Sequence, residues 1–176
     1  MQHQFEIDFD IKHTTVIPTH PDVFELDLIH CTEDNFNELT IPYNITTLVF
    51  IESDLEYLII PNHITYCNCS NLGLKDIVLS DAIETLYCQH NCLKQISIPT
   101  SCEYLYVDYN KLTSITPKSV PNLIELYVTN NRIKEITLDY FPKLAIVEHD
   151  VNVILPLTLK MQLAIKEKEE YDRFKY

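Results

Sequence analysis

The sequence predicts a repeat solenoid of α/β type: a right-handed coil with a concave parallel β-sheet, mostly short strands and loops, closed by a C-terminal helix. The first observation is a period. "AIETLYCQHNCLKQISI", "SCEYLYVDYNKLTSI" and "NLIELYVTNNRIKEITL" share one frame: apolar, two spacers, Leu, one spacer, apolar, two spacers, Asn, one spacer, apolar, two spacers, Ile. The second is phase. The frame, anchored on Leu86, Leu105 and Leu126, extends back through Cys67, Leu48 and Ile29 and forward to Val147, in steps of 19, 19, 19, 19, 21 and 21 residues. The third is punctuation: "LTIP", "LIIP" and "ISIP" put proline after an apolar run, where it fixes φ and ends a strand.

Each unit is expected to place a short strand at its anchor, with side chains alternating in and out. Three residues before the anchor the column reads Leu26, Ile45, Ile64, Ile83, Cys102, Leu123, Leu144, and two after it Cys31, Phe50, Cys69, Cys88, Val107, Val128, His149. Seven after it come Phe36, Leu55, Leu74, Leu93, Leu112, Ile133, Ile154. All but His149 are apolar, so these columns face the core. Five after the anchor stand Asp34, Ser53, Leu72, Asn91, Asn110, Asn131, Asn152. A buried amide at that point satisfies backbone groups that have left the sheet. Nineteen residues leave no room for a helix on the return path, so extended segments and a second narrow strand are expected there. "PKSVPN" and "LDYFPK", in the longer units, predict single helical turns.

This pattern resembles the leucine-rich repeat family, whose consensus is L-x-x-L-x-L-x-x-N-x-L. The resemblance covers residues 26–157 as seven units. Their 19–21-residue length and the Ile-Pro doublets at Ile41, Ile60 and Ile98 look most like the short bacterial-effector class, and isoleucine-rich variants also occur in protists and large viruses. It implies a non-catalytic protein-interaction module, with host–pathogen contact as one setting. Similar repeats in several effectors precede a ubiquitin-ligase domain. The chain after residue 157 is too short for one, so a substrate-recognition role in a larger assembly, or a self-associating structural role, stands as the alternative.

Both ends of a solenoid need lids. Residues 1–25 are expected to supply the first, because "HQFEIDFDIKH" alternates Phe5, Ile7, Phe9 and Ile11 with polar residues. Residues 158–176 are expected to supply the second, as a helix with Leu159 and Leu163 turned to the last unit and a charged, solvated face.

"LYCQHNCLKQI" contains Cys88, His90 and Cys92 at a spacing that suggests half a metal site. Alternation removes it: Cys88 points inward and His90 outward, while a zinc ion needs converging ligands. The six cysteines read as small hydrophobes, expected reduced and metal-free, with Cys92 alone off the core. A single glycine excludes phosphate-cradling loops, and no cofactor is expected. Neither a secretory leader nor an apolar run of about 18 residues is evident, so the expected setting is cytoplasmic, of the source or of a host cell.

The net charge of −13 excludes attraction to nucleic acid or anionic lipid and favours a basic partner. The outward strand columns carry no Lys or Arg. They carry Tyr66, Tyr87, Tyr104, Tyr106, Tyr109 and Tyr127, with acids at Glu33, Glu52, Asp108, Glu125, Glu148 and Asp150. Tyrosine offers rigid amphipathic area and is frequent at binding hot spots. Tyr66, Tyr87, Tyr104, Tyr106, Tyr109 and Tyr127, with Asp108 and Glu125, are therefore the candidate protein-binding residues.

Overall fold

The computed structural model of the chain describes residues 3–10, 17–116 and 119–173, without the side chains of 168–173. Ile11 of the N-terminal alternation, Pro117 and Lys118 of "PKSVPN", and the extreme C-terminal residues lie outside the described residues. In chain order the elements are β1 (Gln4–Asp8), β2 (Glu25–Ile29), α1 (Glu33–Glu38), β3 (Thr47–Ile51), β4 (Tyr57–Ile59), β5 (Tyr66–Asn68), β6 (Asp76–Val78), β7 (Thr85–Tyr87), β8 (Tyr104–Tyr106), β9 (Glu125–Tyr127), β10 (Ile146–Glu148) and α2 (Leu157–Arg173).

Eight strands form one sheet in the order β1-β2-β3-β5-β7-β8-β9-β10. Every neighbouring pair is parallel. The register aligns Leu48, Cys67, Leu86, Leu105, Leu126 and Val147 across consecutive strands. Such a run without crossovers inside the sheet is a parallel-strand solenoid. The core lies between this sheet and the return segments: Leu48, Cys67, Leu86, Leu105 and Leu126 are fully buried, as are Ile45, Ile64, Ile83 and Leu123 from the column before them. On the return side β4 pairs with β6, and single bridges join Ser97 to Thr116, Ser119 to Tyr140 and Glu135 to Ile154.

The structure corrects the frame at both ends. In the first unit Leu26, not Ile29, pairs with Leu48, and Leu28, which alternation from an Ile29 anchor would turn outward, pairs with Phe50 and is fully buried. The crossover from Leu26 to Leu48 is 22 residues long. Its extra length folds into α1, where Thr32 and Asn35 form a capping box and Phe36 packs inward. Glu33 and Asp34 therefore lie in the first turn of a helix, outside the concave rim and the asparagine column. Leu26 and Ile29 are both apolar and three apart, so hydropathy alone could not choose between them.

In the last unit Ile154 is 60% exposed, and Val153 and Leu155 turn inward instead. Among the described residues no further unit stacks beyond it to hold the frame. Residues 138–143 form a bend and turn with no helix. α2 closes this end: Leu159 is fully buried, Leu163 packs against the core, and the Gln162 amide donates to the carbonyls of Phe141 (2.9 Å) and Leu144 (2.8 Å). The Leu144 bond stands in for the one that Ser80 and Ser101, each from the following unit, give to the carbonyls of Ile64 and Ile83.

One column escaped the sequence reading. His30, Glu52, Asn71, His90, Tyr109 and Asn130 all have φ between 46° and 63°. Each stands four residues after an inward anchor and turns the chain out of its strand. With a single glycine in the chain, this left-handed corner falls to other residues, at about 1–2 kcal/mol each. Asn and His, which fill four of the six places, are the types that best tolerate it.

The asparagine column explains how each turn is sealed. Asn91 Oδ1 accepts from the backbone N–H of Leu72 (3.2 Å) and Leu74 (2.9 Å), and its Nδ2 donates to the carbonyls of Cys69 (2.9 Å) and Cys88 (3.2 Å). Asn110 and Asn131 repeat the arrangement one and two units on. Leu72 has no amide to offer, and the chain there uses a second left-handed residue, Gly73 at φ 83°.

Cys31, Cys67, Cys69, Cys88 and Cys102 are buried, and Cys92 is half-buried with the Lys111 ammonium 3.2 Å from its sulfur. Burial pushes the thiols of Cys31 and Cys102 up to about 12. His90 stacks on Tyr109, away from Cys88. Thiol labelling of the native protein should modify Cys92 within the mixing period and the five buried cysteines only on unfolding. Equal rates at all six would mean that the core opens.

Candidate functional site

Alternation places one face of every main-sheet strand on the concave side. None of the eight strands contains a lysine or arginine. Parallel register puts the same column side by side on neighbouring strands about 4.8 Å apart, which is the spacing of stacked rings. Tyr87 and Tyr106 stack with centroids 4.5 Å apart and planes 4° from parallel, and Tyr106 and Tyr127 follow at 4.8 Å and 25°. Tyr66 joins diagonally, at 5.7 Å and 45°. Tyr104 sits in the adjoining row, across from Thr85 and Glu125.

A second, shorter stack runs beside the first. His90 and Tyr109, both at left-handed corners, lie 4.3 Å apart at 12°. Between the two stacks is a shallow concavity of about 610 Å³ with a polar floor: Ser70 donates to Gln89 Oε1 (2.9 Å), and Asp108 Oδ1 accepts from the Thr129 amide (2.8 Å) and hydroxyl (2.7 Å). Glu148 stands at its rim.

The electrostatics are those of strands without a lysine or arginine, with Lys166 of α2 beside Glu125 and Glu148 at the C-terminal edge. Tyr106 donates its hydroxyl to Glu125 (2.8 Å), and desolvation together with that carboxylate holds its ionisation far above the usual phenol range. Tyr127 is raised by desolvation and by Glu125, Glu148 and Asp108.

The N-terminal strands add an acidic pole. Asp27 is buried on the concave side, where one oxygen takes the Gln4 amide and the other has no partner among the described residues. Desolvation raises its carboxyl above the ordinary value. His30 links three strands there: Nδ1 is 2.9 Å from Asp8 and 3.4 Å from Asp10, and Nε2 is 3.2 Å from Glu52.

The Asp8 hydrogen bond raises His30 and lowers Asp8. A raised histidine contributes stability fully below its unfolded value near 6.5 and loses it as pH rises through the folded value. A lowered aspartate contributes above 3.8 and loses it as pH falls. Amide exchange in β1, corrected for intrinsic rate, should therefore show stronger protection at about pH 5.5 than at about pH 8. Equal protection would mean that His30 does not hold β1.

Six tyrosines were singled out from the sequence. The geometry unites Tyr66, Tyr87, Tyr106 and Tyr127 in one stack, sets Tyr109 in the second with His90, and places Tyr104 beside them. Asp108 and Glu125 lie among them as polar partners. His90, turned outward by alternation, meets Tyr109 face to face because both sit at left-handed corners. Among the described residues, no group of three or more His, Cys, Asp or Glu is placed to hold a metal ion. No described helix is long and apolar enough to cross a membrane.

No protein-family model matches the sequence, and no curated protein matches it. Among solved structures, YopM from Yersinia enterocolitica WA-314 is similar, with a TM-score of 0.56 and 17% identity over 80% of this chain. The fold is a leucine-rich-repeat-like solenoid. The match covers 35% of the YopM chain, so the solenoid described here spans about a third of that protein's length. At this identity the likeness concerns the leucine-rich-repeat-like fold and carries no residue roles.

Proposed function

We propose that this solenoid is a non-catalytic protein-interaction module that holds a protein partner on its concave face, centred on Tyr66, Tyr87, Tyr106 and Tyr127. The observation that supports it most is the tyrosine stack itself, set in a sheet whose strands hold no lysine or arginine. The rings present edges and hydroxyls in a row, rigid at low entropic cost, which suits a hot-spot cluster. The acidic rows on either side favour a basic partner and make association fall with added salt. Such a face repels nucleic acid and anionic membranes. The proposed compartment is cytoplasmic, where five buried thiols would stay reduced.

Capture from native lysate on immobilised protein, repeated with Tyr87→Ala/Tyr106→Ala, tests the reading. Affinity should fall by about tenfold or more while circular dichroism is retained. Full affinity in the folded variant would move the contact off this face.

One observation favours a second reading, self-association. Leu157, Met161 and Ile165 form an exposed stripe on α2, next to exposed Val151 and Ile154. Sedimentation of the wild type and of Met161→Glu decides between them: a dimer abolished by the substitution favours this surface, and a monomer at high concentration rejects it.

A further inference from the structure

We propose that the concavity beside Tyr127 seats a single arginine side chain of an extended segment of the partner, with its guanidinium laid on the open face of Tyr127 and held by the carboxylates of Glu148 and Asp108. This inference deepens the protein-binding reading and rests on it.

The stack decides where a ring face is free. Tyr87 and Tyr106 each have neighbouring rings on both sides, so their faces are covered. Tyr127 is the last ring: Tyr106 covers one face, and the residue opposite it on β10 is Glu148. A planar cation laid on the end ring meets a quadrupole on its face and the Glu148 carboxylate at its edge. At the far end of the stack the residue opposite Tyr66 is Thr47, which brings no charge. The two open ends are therefore unlike, and the concavity of about 610 Å³, which runs from Asn68 to Glu148, reaches Tyr127 but not Tyr66.

The acids there are in different states of readiness. Glu125 is engaged by the Tyr106 hydroxyl at 2.8 Å. Glu148 is exposed and makes no side-chain hydrogen bond among the described residues. Asp108 is anchored through Oδ1 by two bonds from Thr129, at 2.8 and 2.7 Å, so its second oxygen is held in place without its own contact. A fixed carboxylate loses little entropy on binding. Tyr109, 51% exposed and stacked on His90, forms the opposite wall.

Arginine fits this seat better than lysine. Its guanidinium is planar, lies flat on aromatic rings and offers several donors to two carboxylates at once, whereas an ammonium is a compact, strongly hydrated point charge. A phosphate or carboxylate ligand would be repelled by Glu148 and Asp108.

The test is a ¹⁵N NMR titration at low salt with a capped pentapeptide carrying one arginine among glycines and serines, and with its lysine and citrulline versions. The arginine peptide should shift the amides of residues 108, 109, 127–129 and 148. The lysine version should bind about threefold or more weakly, and the citrulline version should leave the spectrum unchanged. Glu148→Gln alone should weaken binding about threefold, and Glu148→Gln with Asp108→Asn should abolish it while the spectrum stays dispersed. Glu148 is exposed, so its variant keeps the test valid should Asp108→Asn unfold.

Equal shifts with lysine, or shifts centred on Glu6, Asp8 and Glu25, would reduce the effect to bulk attraction and overturn the seat. No shift with arginine would overturn it too, even if the tyrosine variants still lose the captured partner, in which case the binding face stands without the seat. Arginine binding in a protein whose Tyr87→Ala/Tyr106→Ala variant keeps its partner would uphold the seat and sink the larger face.

Discussion

Leu105→Ala will lower stability by about 2–5 kcal/mol through lost burial and the cavity left behind. Leu105 is fully buried in β8, in register with Leu86 on one side and Leu126 on the other. Three stacked leucines share that layer, so neither neighbour can move into the space without abandoning its own position. For a chain of this size each kcal/mol moves the melting temperature by about 2–4 °C, which predicts a fall of about 4–20 °C. Units in a solenoid touch only their neighbours, so extra amide exchange should appear in β7 and β9 before it appears in β2 or β3. Leu157→Ala is the control: Leu157 is 73% exposed, and its loss should stay within about 0.5 kcal/mol. An unchanged melting temperature for Leu105→Ala would overturn the assigned register.

Asn110→Ala will cost about 1–3 kcal/mol or somewhat more, for a different reason. Its Oδ1 accepts the Leu93 N–H at 3.0 Å, and its Nδ2 donates to the carbonyls of Cys88 (2.9 Å) and Val107 (3.1 Å). Alanine leaves the buried Leu93 N–H without its partner and takes one of two side-chain donors from each carbonyl, Asn91 and Asn131 supplying the other. Asn110→Asp separates this role from simple packing. The side chain keeps its shape and its acceptor, but a carboxylate oxygen then faces two carbonyl oxygens where an N–H had donated. At neutral pH the aspartate variant should be the less stable of the two, and part of the loss should return as pH falls and the carboxyl protonates. Urea unfolding of both variants at about pH 7 and about pH 4.5 measures this. An aspartate variant as stable as the wild type would mean that the amide donor does no structural work.

The middle of the solenoid was legible because every level of the sequence agrees there. Leu86, Leu105 and Leu126 share a period, their flanking columns are apolar in phase, and the asparagines recur at the same offset. Each inward column faces the same residue types in the units before and after, so local pattern and tertiary contact impose the same requirement. The burial of Cys88 and the outward turn of His90 followed from alternation alone. The candidate tyrosines followed from the same alternation, since it assigns each strand residue to one face.

The ends were less legible because there the agreement stops. The first unit offers both Leu26 and Ile29 as anchors, and only pairing with β3 chooses Leu26 and turns the surplus residues into α1. Among the described residues no strand follows the last unit, Ile154 leaves the core there, and α2 supplies contacts in its place. Sequence by itself determined the period, the inward columns, the sealing asparagines and the acidic, tyrosine-bearing outer face, because these depend on spacing and residue type within one unit. Tertiary structure alone decided which ring faces are covered, at what angle neighbouring rings meet, and that His90 and Tyr109 are carried by left-handed corners. Those facts depend on the register between strands and on backbone corners at φ near 55°, where distance and angle across units, not order along the chain, set what touches what.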